Sequence, residues 1–152
     1  MKELTLARKL HSELDSAYSR RLFRAIGRNQ VAAIARITEL RRINDGAYFL
    51  IIFGTFERYV TDRAEAAITA RAGRPHYHQR RAWETLIVNN KVQATFLNRV
   101  RVLIDQQSPE FGRVAEYYRV RNDLAHEGAT SKIFSIPNVV SDLKSAARVM
   151  KR

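Results

Sequence analysis

The sequence predicts an all-α fold, a single domain of five to seven helices, and three observations lead there. Apolar residues recur every three or four positions along nearly the whole chain. Glycine and proline fall at the ends of those periodic stretches rather than inside them. Strand-type sequence is confined to residues 133–136, too short to found a sheet. With 152 residues, 45% of them hydrophobic, the chain is long enough to bury a full core.

The elements follow in order. A first helix starts at Leu4 and carries Ala7, Leu10, Leu14, Ala17, Tyr18 and Leu22 as its apolar stripe, ending near Ile26. Gly27 supplies a stop, and Asn29 is placed as the N-cap of a short helix through Val31, Ile34, Ile37 and Leu40. Asp45-Gly46 reads as a turn and cap that opens a long helix to Ala72, closed by Gly73 with Pro75 just beyond. Residues 73–79 are expected to be loop, followed by helices over about 83–88 and 91–107. Ser108-Pro109-Glu110 is a helix start with an N-cap hydroxyl, a proline at the first helical position and a carboxylate at the positive dipole end. That helix carries Phe111, Val114, Ala115 and Tyr118 into Arg121 and His126, and Gly128 closes it. A final helix covers about 137–150. No repeat, low-complexity tract or dividing linker interrupts the chain, so one domain spanning 1–152 is expected.

Charge narrows the function classes. Lys and Arg total 27 against 15 acidic residues, a net +12, and Arg supplies most of the positive side. A guanidinium can donate two parallel hydrogen bonds to one phosphate, so a nucleic acid is the expected partner, although an Arg-rich coding bias gives the same count. The absence of cysteine excludes disulfides, thiol catalysis and thiolate metal sites, and fits a reducing, cytoplasmic setting. The longest apolar run, from Ala47 to Phe53, is far shorter than the roughly 20 residues of a membrane span, and no secretory h-region follows Lys2 and Glu3. Phosphate-binding glycine loops, dinucleotide fingerprints, nucleophile elbows and His-Glu-x2-His zinc motifs are all missing.

The strongest chemical constellation is Arg121-Asn122-Asp123-Leu124-Ala125-His126-Glu127-Gly128. Continuing the stripe from Phe111, Ala115 and Tyr118 lands on Arg121 and Asn122 and then Ala125, and a guanidinium on such a stripe needs a partner. Asn122 and His126 share a face at i,i+4, whereas Arg121 and His126 are about 140° apart on a straight helix unless the Gly128 terminus opens the last turn. Spacing alone decides nothing, because Arg71 with His76, Arg71 with His78 and Arg119 with His126 satisfy it as well. An imidazole titrates near neutrality and can transfer protons, while Arg supplies fixed donors where negative charge accumulates on a phosphorane. The plain alternatives are a helix-terminal histidine facing the dipole and a structural ion pair.

Arg121-Asn122-Asp123-Leu124-Ala125-His126 resembles the Arg-polar-x3-His signature of the HEPN superfamily, all-α nucleases of toxin–antitoxin, abortive-infection and RNA-guided defence systems. The stretch Phe53-Gly54-Thr55-Phe56-Glu57-Arg58-Tyr59-Val60 is similar to the upstream HEPN helix, which often carries an acidic residue amid apolar ones. The resemblance covers about residues 45–128. It implies a HEPN-like bundle forming a two-fold homodimer with the motifs facing each other, and metal-independent endoribonuclease activity without a cofactor. It also implies a cognate antitoxin or another defence-system partner. His126 would be the acid–base residue, Arg121 the phosphate stabiliser and Asn122 a positioner of phosphate or imidazole. The residues after His126 are Glu127 and Gly128, without the Tyr two positions on that marks the branch paired with antitoxin nucleotidyltransferases.

Two further groups stand out. Glu57 lies on or beside an apolar stripe with Leu50, Phe53, Val60 and Ala64, so its carboxylate is expected to support the Arg121 guanidinium, or else to pair at the surface with Arg58 or Arg63. Arg74, His76, Tyr77, His78, Arg80 and Arg81 are expected to contact RNA phosphates and stack a base, or to form an ordinary solvated loop. Two imidazoles without a neighbouring carboxylate make a poor metal site, and none is expected. His11, between charged residues, is expected at the surface with no role. A non-catalytic basic module that holds RNA or protein is the rival to the nuclease. A helical DNA-binding regulator is a weaker one, since no compact helix-turn-helix pattern is present.

Overall fold

The computed structural model describes residues 2–89, 91–128 and 134–150. Among them are six α-helices and one two-residue hairpin: α1 Lys2–Gly27, α2 Val31–Ala72, α3 Tyr77–Glu84, β1 Ile87–Val88, β2 Lys91–Val92, α4 Phe96–Leu103, α5 Pro109–Glu127 and α6 Ile136–Val149. The all-α class and the helix number agree with the sequence. No strand forms at 134–136, where Ile136 opens α6; Ile133 lies outside the described residues.

The buried line of α1 differs from the expected one. It passes through Leu4, His11 and Ala25, with Ala7, Asp15, Tyr18 and Leu22 half-buried, while Leu10 and Leu14 face solvent. The helix is rotated because His11 and Asp15 have polar partners on α2, Asp45 and Arg41. Four residues forward on α1 are matched by four residues back on α2, the register of two antiparallel helices.

Asn29 does not cap α2. It sits at φ 51°, and the hydrogen bonds from its amide to Ile26 O (2.9 Å) and from the Gln30 amide to Ala25 O (3.0 Å) form a Schellman closure of α1. Gln30 precedes α2, its carbonyl accepting from Ile34 N at 3.0 Å.

The expected break at Asp45-Gly46 is absent, and α2 runs as one helix of 42 residues. The Asp45 carboxylate is taken by His11 instead of capping a helix start. Gly46 costs about 1 kcal/mol of helix propensity relative to alanine. Phe49, Ile52, Phe53 and Phe56 on the same helix are fully buried, each contributing about 1.5–3 kcal/mol, so burial outweighs the glycine. The same stripe continues through Val60, Ala64 and Ile68. Gly73 and Pro75 end the helix as expected, with Gly73 N donating to Thr69 O at 3.0 Å.

Between 73 and 107 the boundaries shift. Only residues 73–76 are loop, α3 begins at Tyr77, and the expected helix over 83–88 ends at Glu84. Ile87 pairs with Val92 and Val88 with Lys91 in an antiparallel hairpin, which the β-branched side chains favour. Asn89 at the turn takes φ 50°. The helix expected from Lys91 therefore starts at Phe96, where the Thr95 hydroxyl accepts from Asn98 N.

The remaining two helices match. The Ser108 hydroxyl caps α5 by accepting from Phe111 N at 3.2 Å, and Gly128, at φ +68°, terminates it. Along α6, Ile136, Val139, Val140, Leu143, Ala146 and Ala147 form a continuous buried stripe. The structure divides into two compact units, Met1–Thr55 with Tyr117–Ser141 and Phe56–Glu116 with Asp142–Arg152, and α2, α5 and α6 each contribute to both. In the first, Phe49 packs against Tyr117 (6.2 Å between centroids) and Phe134 (4.7 Å). In the second, Tyr59 and Arg63 of α2 donate to the carbonyls of Ala147 (3.4 Å) and Met150 (2.9 Å).

A left-handed backbone at Asn29 makes a direct prediction. Asn29→Gly should leave urea stability within a few tenths of a kcal/mol, whereas Asn29→Val should lower it by about 1–2 kcal/mol. Equal midpoints for both variants would contradict the Schellman assignment.

Candidate functional site

The motif sits on the last two turns of α5. Three contacts with α2 set the face that α5 presents in this unit. Tyr117 meets Phe49, Tyr118 meets Phe53 (6.4 Å), and the Leu124 side chain packs over Gly46, 3.4 Å from where its Cβ would be. The inward line is therefore Tyr117, Val120, Arg121 and Leu124, and Ala125, expected on it, is exposed.

Arg121 and Asn122 are half-buried, and Arg121 Nη1 donates to Asn122 Oδ1 at 3.3 Å. The amide oxygen thus faces the guanidinium of its own neighbour. His126 is exposed in the final turn. The last turn does not open, because α5 continues through Glu127 before Gly128 breaks it. Within one chain, then, Arg121 and His126 project in directions about 140° apart. Glu57 is half-buried on α2, beside the fully buried Phe56, and belongs to the other unit.

The basic segment divides by role. Arg74, His76, Tyr77, His78 and Arg81 are exposed, and His76 occupies the N-cap position of α3 without a side-chain cap bond. Tyr77 has its ring edge-on to His78 (5.8 Å) and the Arg80 guanidinium over it at 5.9 Å. Arg80 is used locally, donating to Glu84 Oε1 and to the Pro75 carbonyl, each at 3.0 Å. Arg71 lies over the Trp83 ring at 4.6 Å. Tyr77 and Arg81 also border a shallow cavity of about 590 Å³ with Ala82, Glu84 and Thr85. Elsewhere several cations are held by near acids. The Asp15 carboxylate accepts from Arg41 at 2.7 Å, and the hydrogen bond from Arg42 holds the Glu39 carboxyl below its ordinary pKa.

One polar pair was missed from sequence. His11 is 7% exposed, its Nε2 faces Asp45 Oδ1 at 2.6 Å, and its ring meets Tyr48 edge-on at 5.4 Å. The signal was the matched spacing of His11 and Asp15 against Arg41 and Asp45. It is invisible to a search for apolar stripes, because it places two polar residues on a buried line.

Among the described residues, no group of three or more His, Asp or Glu side chains is disposed to hold a metal ion. No helix among them is long and apolar enough to cross a membrane. Comparison with protein-family models, with curated proteins and with solved structures finds no match.

Removing the Asp45 carboxylate strands a buried imidazole, so Asp45→Ala should cost about 1–3 kcal/mol in chemical denaturation. In a His11→Leu background the same change should cost much less. Equal losses in both backgrounds would show that the two side chains are not coupled.

Proposed function

We propose that the protein is a metal-independent endoribonuclease of HEPN type, cytoplasmic, acting as a homodimer and serving as toxin or effector in a toxin–antitoxin or phage-defence system. The observation that carries this reading is the contrast along α5. A half-buried Arg121, bonded to Asn122, lies five residues before an exposed His126 in a resemblance to the HEPN signature. A guanidinium fixed in orientation suits a developing phosphorane charge, and an accessible imidazole suits proton transfer.

The wide angle between the two side chains bears on the dimer. One chain does not aim both at a single phosphate, so a second copy would supply the complementary imidazole, one acting as base on the 2′-hydroxyl and the other as acid on the departing 5′-oxygen. Leu6, Leu10, Leu14, Ile43 and Ile51 are all exposed, which supports a protein partner, whether that second copy or an antitoxin. Arg74, His76, Tyr77, His78 and Arg81 would hold the RNA strand by phosphate contacts and stacking, with Tyr77, a residue 56% exposed, as the base platform.

The same exposed segment favours one alternative, a non-catalytic module that binds RNA or protein through its basic face. Cleavage of RNA in EDTA separates the two. His126→Ala and Arg121→Ala should each lower the rate about 10²–10⁴-fold while leaving RNA affinity within a few-fold. Equal background cleavage by all three proteins would leave the binding module.

A further inference from the structure

The second unit contains a polar cleft that the nuclease reading does not use. Glu65 and Thr69 of α2, Lys91, Val92 and Gln93 of the hairpin strand and its exit, and Arg99 of α4 enclose about 470 Å³. That volume lies within the roughly 300–1,000 Å³ of small-ligand sites. We propose that this cleft binds a phosphate group, with Arg99 and Lys91 as its ligands.

The state of Arg99 is the decisive observation. Its Nη2 reaches Glu65 Oε1 and the Val92 carbonyl, both at 3.5 Å, the outer limit of a hydrogen bond. Among the described residues its Nε is buried with no acceptor. Other guanidiniums of this chain are served better: Arg41 has an acceptor at 2.7 Å, Arg42 at 2.8 Å and Arg80 at 3.0 Å. A cation that is only 22% exposed and held at the outer limit of a hydrogen bond is costly, and an oxyanion in the cleft offers the accessible part of its guanidinium a closer partner.

The lining selects the ligand class. Lys91 and Arg99 against Glu65 leave one net positive charge, while the Thr69 hydroxyl and Gln93 amide add neutral donors. Among the described residues Val92 contributes the one aliphatic side chain to the wall, so an apolar ligand has little to bury. A carboxylate presents two oxygens, whereas a phosphate presents three or four to a fork, an ammonium, a hydroxyl and an amide. The phosphate can arrive free or as the phosphoryl group of a nucleotide, and the cleft is large enough for either. None of this depends on His126 or Arg121, so a catalytically inert protein would still bind.

Thermal unfolding of the full chain tests the site. Inorganic phosphate at about 10 mM should raise the Tm of the wild type above that in chloride of equal ionic strength, since a ligand selective for the folded state stabilises it. Lys91→Ala, an exposed change that spares the packing, should weaken phosphate binding at least about tenfold, as should Arg99→Gln where it folds. Glu65→Gln, which removes the opposing charge, should tighten it. A 5′-nucleoside monophosphate that stabilises when its parent nucleoside does not would assign the phosphoryl group as the ligand. An equal shift in chloride, or an undiminished phosphate shift in Lys91→Ala, would overturn the proposal.

Discussion

The close approach of Leu124 to Gly46 is the constraint on which the candidate site depends. Residue 46 lies in the middle of a continuous helix, where glycine is locally unfavourable, and Leu124 of α5 packs onto the space its missing side chain leaves. With Tyr117 and Tyr118 seated against Phe49 and Phe53, this fixes the rotation of α5 about its own axis. Rotation is what assigns roles to the motif. It turns Arg121 and Asn122 half inward, where their orientation is restrained, and leaves His126 in solvent. A side chain larger than methyl at 46 would displace Leu124 and with it the face on which the guanidinium lies.

A second constraint is polar. His11 with Asp45 and Asp15 with Arg41 lock α1 to α2 in one register. Hydrophobic packing alone tolerates sliding by a turn, whereas a buried imidazole needs its one carboxylate. The result also explains why Leu10 and Leu14, the best apolar candidates on α1, stand outside. Polar partners on the facing helix outweighed a stripe that was apolar only by composition.

Much of the fold was legible because it rests on local rules. Ser108-Pro109-Glu110 begins α5, Gly128 ends it, and Gly73 with Pro75 ends α2, each through backbone chemistry that its own residues dictate. The departures from local preference share a cause. At Asn29, Asp45-Gly46 and Lys91 local preference points one way and a partner elsewhere decides: the Schellman bonds to Ala25 and Ile26, the imidazole of His11, and the strand opposite Lys91. At the site, the motif residues were legible as a pattern on one helix. The half-buried position of Arg121 came from continuing the stripe, while exposed Ala125 and the closed last turn came only from the packing of Leu124. The Arg99 cleft has no sequence pattern, since its walls come from three elements that the chain brings together only on folding.

The nature of the RNA ends left after the proposed cleavage tests the central claim most directly, that a pair of imidazoles and a guanidinium carry the reaction without a metal. Attack by the 2′-hydroxyl predicts 2′,3′-cyclic phosphate and 5′-hydroxyl termini, formed in EDTA and blocked by a single 2′-deoxy substitution at the scissile nucleotide. Termini bearing 3′-hydroxyl and 5′-phosphate, or cleavage indifferent to the 2′-deoxy substitution, would contradict it.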